Sequence, residues 1–379
     1  MVSRSMRNIL FILTLSAPFV TGCHVSSRSA MYGSGGRTSY NVAAQNTTNQ
    51  ELLLNLVRLR YADTPYFLEL NGITTQFNFS SKLNSTVTVP GFNSDNPASI
   101  GGELGWSNQP TIQYSPLGGK YFAIQMMQPL DLKMIQDLVF MGWDVGRVFR
   151  LLVQNMVNIT NASAVSGPVP GRAPHYERLF ECLELLRHFQ SLGELQIGIR
   201  FIPGGNKKIS EDEACRQKPN AIQISFPVTG KESDRLAELL EQVRQSKGRY
   251  VLNMRQAFNE EASLGIMTRS LLGMMYYLSL GVEVPPKDVA KKTVAMTFND
   301  DGSLFDWRDV IGDLIAIHWS YRCPDSYYLA VPYRDYWFYI DDRDISSKRT
   351  FVLLQQIYNL QAKQQEKEGP LLTIPLGAS

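Results

Sequence analysis

The chain has 379 residues, 44% of them hydrophobic and 19% charged, which excludes a disordered chain and allows two domains with their own cores. Its 37 basic and 35 acidic residues leave a net charge of +2, so it lacks the electrostatic footprint of a nucleic-acid binder. No internal repeat is visible, which excludes solenoid and propeller architectures.

Arg4 and Arg7 precede an apolar run from Ile9 to Val20. That run is too short to cross a bilayer, which takes about 20 residues. A basic start, a short apolar region and a small-residue exit form a secretory signal peptide over residues 1–22. Its exit, Val20-Thr21-Gly22-Cys23, resembles the bacterial lipobox. That resemblance implies cleavage before Cys23, diacylglycerol on its thiol and a palmitate-type membrane anchor. Several acyl chains, each methylene worth about 0.8 kcal/mol in the membrane, hold such an anchor in place. His24 stands where enterobacterial lipoproteins retained in the inner membrane carry Asp, so the resemblance implies the periplasmic face of the outer membrane. Cys182, Cys215 and Cys323 remain, compatible with one disulfide and one buried thiol or with three free thiols.

Residues 23–48 follow as the lipidated Cys and a flexible tether, small and polar around Gly33, Gly35 and Gly36. A helix is expected over residues 49–60, with Leu52, Leu53, Leu56 and Val57 on one face and Thr48 as its cap. Arg58 and Arg60 occupy its last turn, where cations suit the helix dipole. Pro65 stops it.

The clearest pattern begins at Gly72. From Ile73 to Val89 apolar and polar residues alternate, with Phe77, Phe79, Leu83, Val87 and Val89 on one side. Turn residues follow from Pro90 to Pro97, and a second alternating run carries Ile100, Leu104, Trp106, Ile112 and Tyr114. The two runs make a long amphipathic β-hairpin. Three readings stay open: a sheet packed on helices, an arm that pairs with another chain, and a transmembrane hairpin given to an oligomeric barrel. Ser81 and Ser85 interrupt the apolar side.

An apolar bridge over residues 120–127 and helices over 130–141 and 144–158 complete a first domain, residues 49–160. Pro168, Pro170 and their glycines mark residues 161–173 as a linker. The second domain, residues 174–379, reads as helix 174–190, strand 194–202, strand 221–226, helix 231–246 and strand 250–254. An apolar core helix over 263–280 encloses Arg269. Strands within residues 314–340 form an antiparallel meander dense in aromatics, followed by a helix from Asp344 or Ser346 to about residue 364 and an edge strand at 371–376. The fold class is therefore α+β: a long hairpin with helices, then an α/β domain ending in an aromatic meander and a C-terminal helix.

No nucleophile elbow, Walker loop, zinc motif, EF-hand or dinucleotide fingerprint occurs, and no cofactor is implied. His24, His175, His188 and His318 have no catalytic partner at a diagnostic spacing. The acidic clusters at 299–302 and 341–344 suit a turn and a helix cap. Trp319, Tyr328, Trp337 and Tyr339 are the candidate binding surface, in competition with core packing.

Three segments together, YNVAAQNTTNQELLLNLVRLRYADTPYFLEL, QPTIQYSPLGG and VPYRDYWFYIDDRDISSKRTFVLLQQIYNLQA closing on LLTIPLG, resemble a group of uncharacterised bacterial lipoproteins. The resemblance spans most of the mature chain and brings no reaction. In plan the chain is also similar to the curli-secretion channel lipoprotein, which joins a lipidated Cys, an α/β body and strands given to a shared barrel. The expectation is a non-enzymatic, outer-membrane-anchored lipoprotein whose hairpin assembles with other copies or an envelope partner, as a channel subunit or scaffold. The alternative is a monomeric periplasmic module that binds peptidoglycan or a protein through the aromatic meander.

Overall fold

The structure, a computed structural model, describes residues 37–85, 100–157, 159–162, 166–203, 219–241, 243–257 and 265–362; the side chains of 73–85 and 100–111 lie outside that description. In chain order the elements are α1 (Arg37–Arg60), β1 (Phe67–Ser85), β2 (Ile100–Leu117), α2 (Gly119–Met127), α3 (Leu132–Phe140), α4 (Val145–Leu152), β3 (Val153–Met156) and β4 (Ile159–Thr160). Then come α5 (Glu177–Ser191), β5 (Gln196–Arg200), β6 (Ala221–Pro227), α6 (Lys231–Leu240), β7 (Arg244–Ser246), β8 (Arg249–Gln256), β9 (Gly265–Thr268) and α7 (Leu271–Ser279). The chain ends with α8 (Pro286–Ala290), α9 (Arg308–Ile311), β10 (His318–Ser320), β11 (Leu329–Tyr333), β12 (Tyr336–Ile340) and α10 (Ile345–Ala362). The class is α+β, with an antiparallel meander and a C-terminal helix.

The chain divides into two compact units, and the division differs from the one read in sequence. One unit holds residues up to Thr48 together with Leu68–Ser115; the other, the body, holds Asn49–Phe67 and Pro116 onward. Residues 161–173 do not separate domains. The seven-stranded sheet of the body runs β4-β3-β9-β8-β6-β5, with β7 also on β8, so it takes strands from both sides of that segment. Its Pro and Gly residues mark a surface crossing fixed by distant partners: Thr297 donates to the Pro170 carbonyl at 2.7 Å, and Ala173 N–H to Phe298 at 3.0 Å.

The body's sheet is antiparallel except where β8 meets β9. Helix α4 packs on α5, and α5 on α6. Phe149, Leu186, Phe226 and Leu236 are wholly buried in the resulting core. Burying such side chains contributes about 1.5–3 kcal/mol each.

One buried clamp explains a boundary that sequence reading placed wrongly. The helix expected over 144–158 ends at Leu152 and continues as β3. Its last carbonyls would be left without donors. Arg269 supplies them: Nη1 donates to the carbonyls of Arg150 at 2.7 Å and Val153 at 3.0 Å, Nη2 to Asn161 at 2.5 Å, and Nε to Ser166 Oγ at 3.1 Å. Asn161 Nδ2 adds bonds to the same Arg150 and Val153 carbonyls at 2.9 and 2.5 Å. The guanidinium carbon lies 4.2 Å from the Tyr277 ring centre. Arg269 stands between β9 and α7, where a single helix was expected over 263–280. Burial lowers its pKa to about 10, so it stays charged at neutral pH.

Three further expectations are corrected. The tether does not reach Thr48, because α1 is helical from Arg37; Thr48 is inside that helix, its hydroxyl donating back to Ala44. Residues 119–127 are a helix and no bridge. Asp131, Asp144, Ser270 and Asp344 accept bonds from first-turn amides, at Lys133, Arg147, Gly273 and Ser347 respectively, which places the cap of the C-terminal helix on Asp344. The edge strand expected at 371–376 lies outside the described residues.

Candidate functional site

In the first unit β1 and β2 form a two-stranded sheet of 19 and 18 residues. Asn71, near the start of β1, donates to Ser115, near the end of β2, at 2.5 Å, so the strands run antiparallel. At about 3.4 Å per residue the hairpin extends about 60 Å, twice the hydrocarbon thickness of a bilayer. Pro110 does not end β2; an edge tolerates a residue that cannot donate. Among the described residues no third strand pairs with β1 or β2.

Of the residues expected to form its apolar side, Phe77, Phe79 and Leu83 lie in β1 and Leu104 and Trp106 in β2, with side chains outside the description. Val87, Val89 and the lipidation candidate Cys23 lie outside the described residues. Directly after β2, α2 exposes Tyr121, Ile124 and Met127 along one side. Among the described residues no helix is long and apolar enough to cross a membrane.

The aromatic meander does not present its four candidates as one surface. Its strand order is β10-β12-β11, with β12 central. Trp319 pairs with Phe338, and Phe338 with Val331, so Trp319 belongs to the core-facing side. Trp337 and Tyr339 alternate to the other side, opposite Ser320 and His318. Tyr328 precedes β11 and packs edge-on against Phe351, with Lys348 over its ring. Strand register therefore splits the set: Trp337 and Tyr339 share a half-buried face, while Trp319 and Tyr328 do not join it.

The structure also brings together groups that sequence spacing kept apart. His318 Nδ1 lies 3.0 Å from Glu283 Oε1. The Glu283 carboxylate raises the His318 pKa above its ordinary value. Tyr61 donates to Asp288 at 2.7 Å and lies beneath the Arg334 guanidinium, 4.4 Å from the ring centre. No sequence signal identifies either contact, since the partners come from different elements.

Two cavities open in the body. The first, about 350 Å³, is lined by Arg60, Glu283, Trp307 and Trp319 among others. The second, about 310 Å³, is lined by Arg147, Arg150 and Arg187. In the second each guanidinium is engaged: Arg150 with Asp313, Arg187 with Asp144 and Glu184, Arg147 with the Ser346 carbonyl, and Arg308, which also lines it, with Asp306. Among the described residues no group of His, Cys, Asp and Glu is placed to hold a metal ion. Cys182 is a buried free thiol, pushed up to about 12 by desolvation, and Cys323 is an exposed free thiol. Cys215 lies outside the described residues.

No protein-family model matches this chain, and neither a curated protein nor a solved structure is significantly similar to it.

Proposed function

We propose that the chain is a non-enzymatic envelope lipoprotein that assembles with further copies of itself through the β1–β2 hairpin, as the subunit of an oligomeric channel or scaffold. The observation that carries this reading is the pairing of two strands of 19 and 18 residues with no third strand among the described residues. A lone hairpin is marginal in water, and each strand has a row of backbone amides and carbonyls turned away from its partner. Strands of neighbouring copies satisfy both rows at once. Inside lipid the demand is stricter, because each unpaired group costs several kcal/mol and only a closed ring removes the edges. The alternation from Ile73 to Val89 supplies an apolar side for such a ring. Two strands per copy would build an aqueous lumen of about 16–18 strands from about eight or nine copies.

The lipobox at Cys23 supports an anchor that delivers the hairpin to a membrane. Palmitate labelling that is lost in Cys23→Ala tests the anchor; unlabelled wild-type protein refutes it. Assembly is tested by unheated electrophoresis of detergent-solubilised protein. The reading expects a heat-sensitive oligomer that disappears when residues 73–115 are removed. Asn71 and Ser115 are in hydrogen-bonding contact, so Gly72 joins Pro116 without stretching the body. A ladder unchanged by the deletion would sink the proposal.

A further inference from the structure

Arg60 is 4% exposed and lines the 350 Å³ cavity of the body. Its Nη1 donates to the Ala295 carbonyl at 2.8 Å, while its Nε is buried without an acceptor. No carboxylate among the described residues pairs with it. The carboxylates of the cavity wall have partners of their own: Glu283 is 3.0 Å from His318 Nδ1, and Asp306 takes a two-pronged contact from Arg308 at 2.9 and 2.6 Å. The remaining wall is apolar, formed by Leu280, Val284, Val289, Phe305, Trp307 and Ile315. A buried cation without an anion is costly, and native proteins pair it or hydrogen-bond it fully. Arg269 shows the second solution in the same body, with its donors spent on carbonyls and the Ser166 hydroxyl. Arg60 has neither solution.

We propose that this cavity is a binding site for a small amphipathic organic anion, a carboxylate on an aliphatic or aromatic body, with Arg60 pairing the carboxylate and the apolar wall taking the rest. A guanidinium N–H makes a charge-assisted bond to a carboxylate, and once the Ala295 bond is kept Nη2 is the donor without an acceptor among the described residues, while Nε is closed off by protein. The volume falls in the range of small-ligand pockets, about 300–1,000 Å³. Burial holds the Arg60 pKa at about 10, so the cation persists at neutral pH. Nothing here depends on hairpin assembly, since every residue named belongs to the body.

The test titrates detergent-solubilised full chain with sodium octanoate, using 1-octanol as the uncharged control of equal length and Trp307 and Trp319 fluorescence as the readout. Octanoate is expected to bind saturably at one site and at least tenfold more tightly than octanol. Arg60→Gln is expected to weaken octanoate at least tenfold, the loss of one charge-assisted pair, and to leave octanol unchanged. Ala316→Trp, which fills the cavity and keeps Arg60, is expected to abolish both. Thermal melting separates ligand from scaffold: octanoate should raise the melting temperature of wild type and leave that of Arg60→Gln unmoved, whereas a purely structural Arg60 gives no octanoate shift in either. Should Arg60→Gln fail to fold, that outcome counts against the proposal, and the octanoate–octanol comparison on wild type still decides. Absence of saturable octanoate binding, or equal affinity for octanol, overturns it.

Discussion

In the body, β8 is paired along both edges, with β6 on one and with β7 and β9 on the other; in the hairpin, β1 and β2 have only each other among the described residues. β8 has 8 residues and β1 has 19, so the longer strand has the fewer partners. In the body the inner strands are paired on both sides, and the helix-end carbonyls are held by Arg269. Among the described residues the hairpin has two edges without a partner. On the proposed function, stability is a property of the body and assembly a property of the hairpin. Substitutions in each should move one quantity and spare the other.

The largest effect on stability is expected at Arg269. Arg269→Met strands the Asn161 carbonyl in the core, worth about 1–3 kcal/mol when unsatisfied, and removes a charge-assisted bond from each of the Arg150 and Val153 carbonyls, which keep the Asn161 side-chain amide. A loss of about 3–5 kcal/mol in chemical denaturation follows, with any oligomer formed by the surviving folded fraction unchanged in size. Phe79→Asp, on the apolar side of the alternation, is expected to do the reverse. It should weaken assembly at least about tenfold, or about 1.4 kcal/mol, while the body's melting temperature stays within error. A lowered melting point there would erase the distinction between the two regions.

Smaller effects sharpen the picture of the body. In a Cys215→Ser background a thiol reagent should label Cys323 rapidly and Cys182 only on unfolding, because Cys182 is buried and its pKa is pushed up to about 12. Rapid labelling of both would show that α5 is not packed as described. The smallest effect concerns His318. Its pKa is raised in the folded state, so the stability it contributes is complete below about 6.5, the ordinary value, and is lost as pH rises through the folded value. Glu283→Gln should return the ring's NMR titration towards that ordinary value. An unshifted titration in wild type would contradict the 3.0 Å contact.

What was legible in sequence follows the same divide. The hairpin could be read because a period of two needs no distant partner to be visible; β1 covers residues 73–85 of the alternation and begins earlier, at Phe67, while residues 86–89 lie outside the description. The aromatic meander and C-terminal helix were readable for the same local reasons. The rest was set by contacts remote in sequence. Nothing near Leu152 shows that Arg269 will end α4 there. The segment Arg37–Thr48 lacks an apolar stripe, and Thr48 looks like a capping residue although its hydroxyl bonds back to Ala44 within the helix. Residues 161–173 resemble a linker in composition but carry chain across one core. At the candidate sites, alternation alone could not say that β12 is central, which is what divides Trp319 from Trp337 and Tyr339. Arg60 satisfied a helix-dipole argument completely, and only its burial beside a cavity gives it a different meaning.

The central claim is that the hairpin is the assembly element, and native mass spectrometry from detergent tests it most directly. The account predicts several copies per particle for the full chain and a single folded copy when residues 73–115 are removed. A full chain that flies as one copy, or a deletion variant that keeps the full-chain copy number, would contradict it.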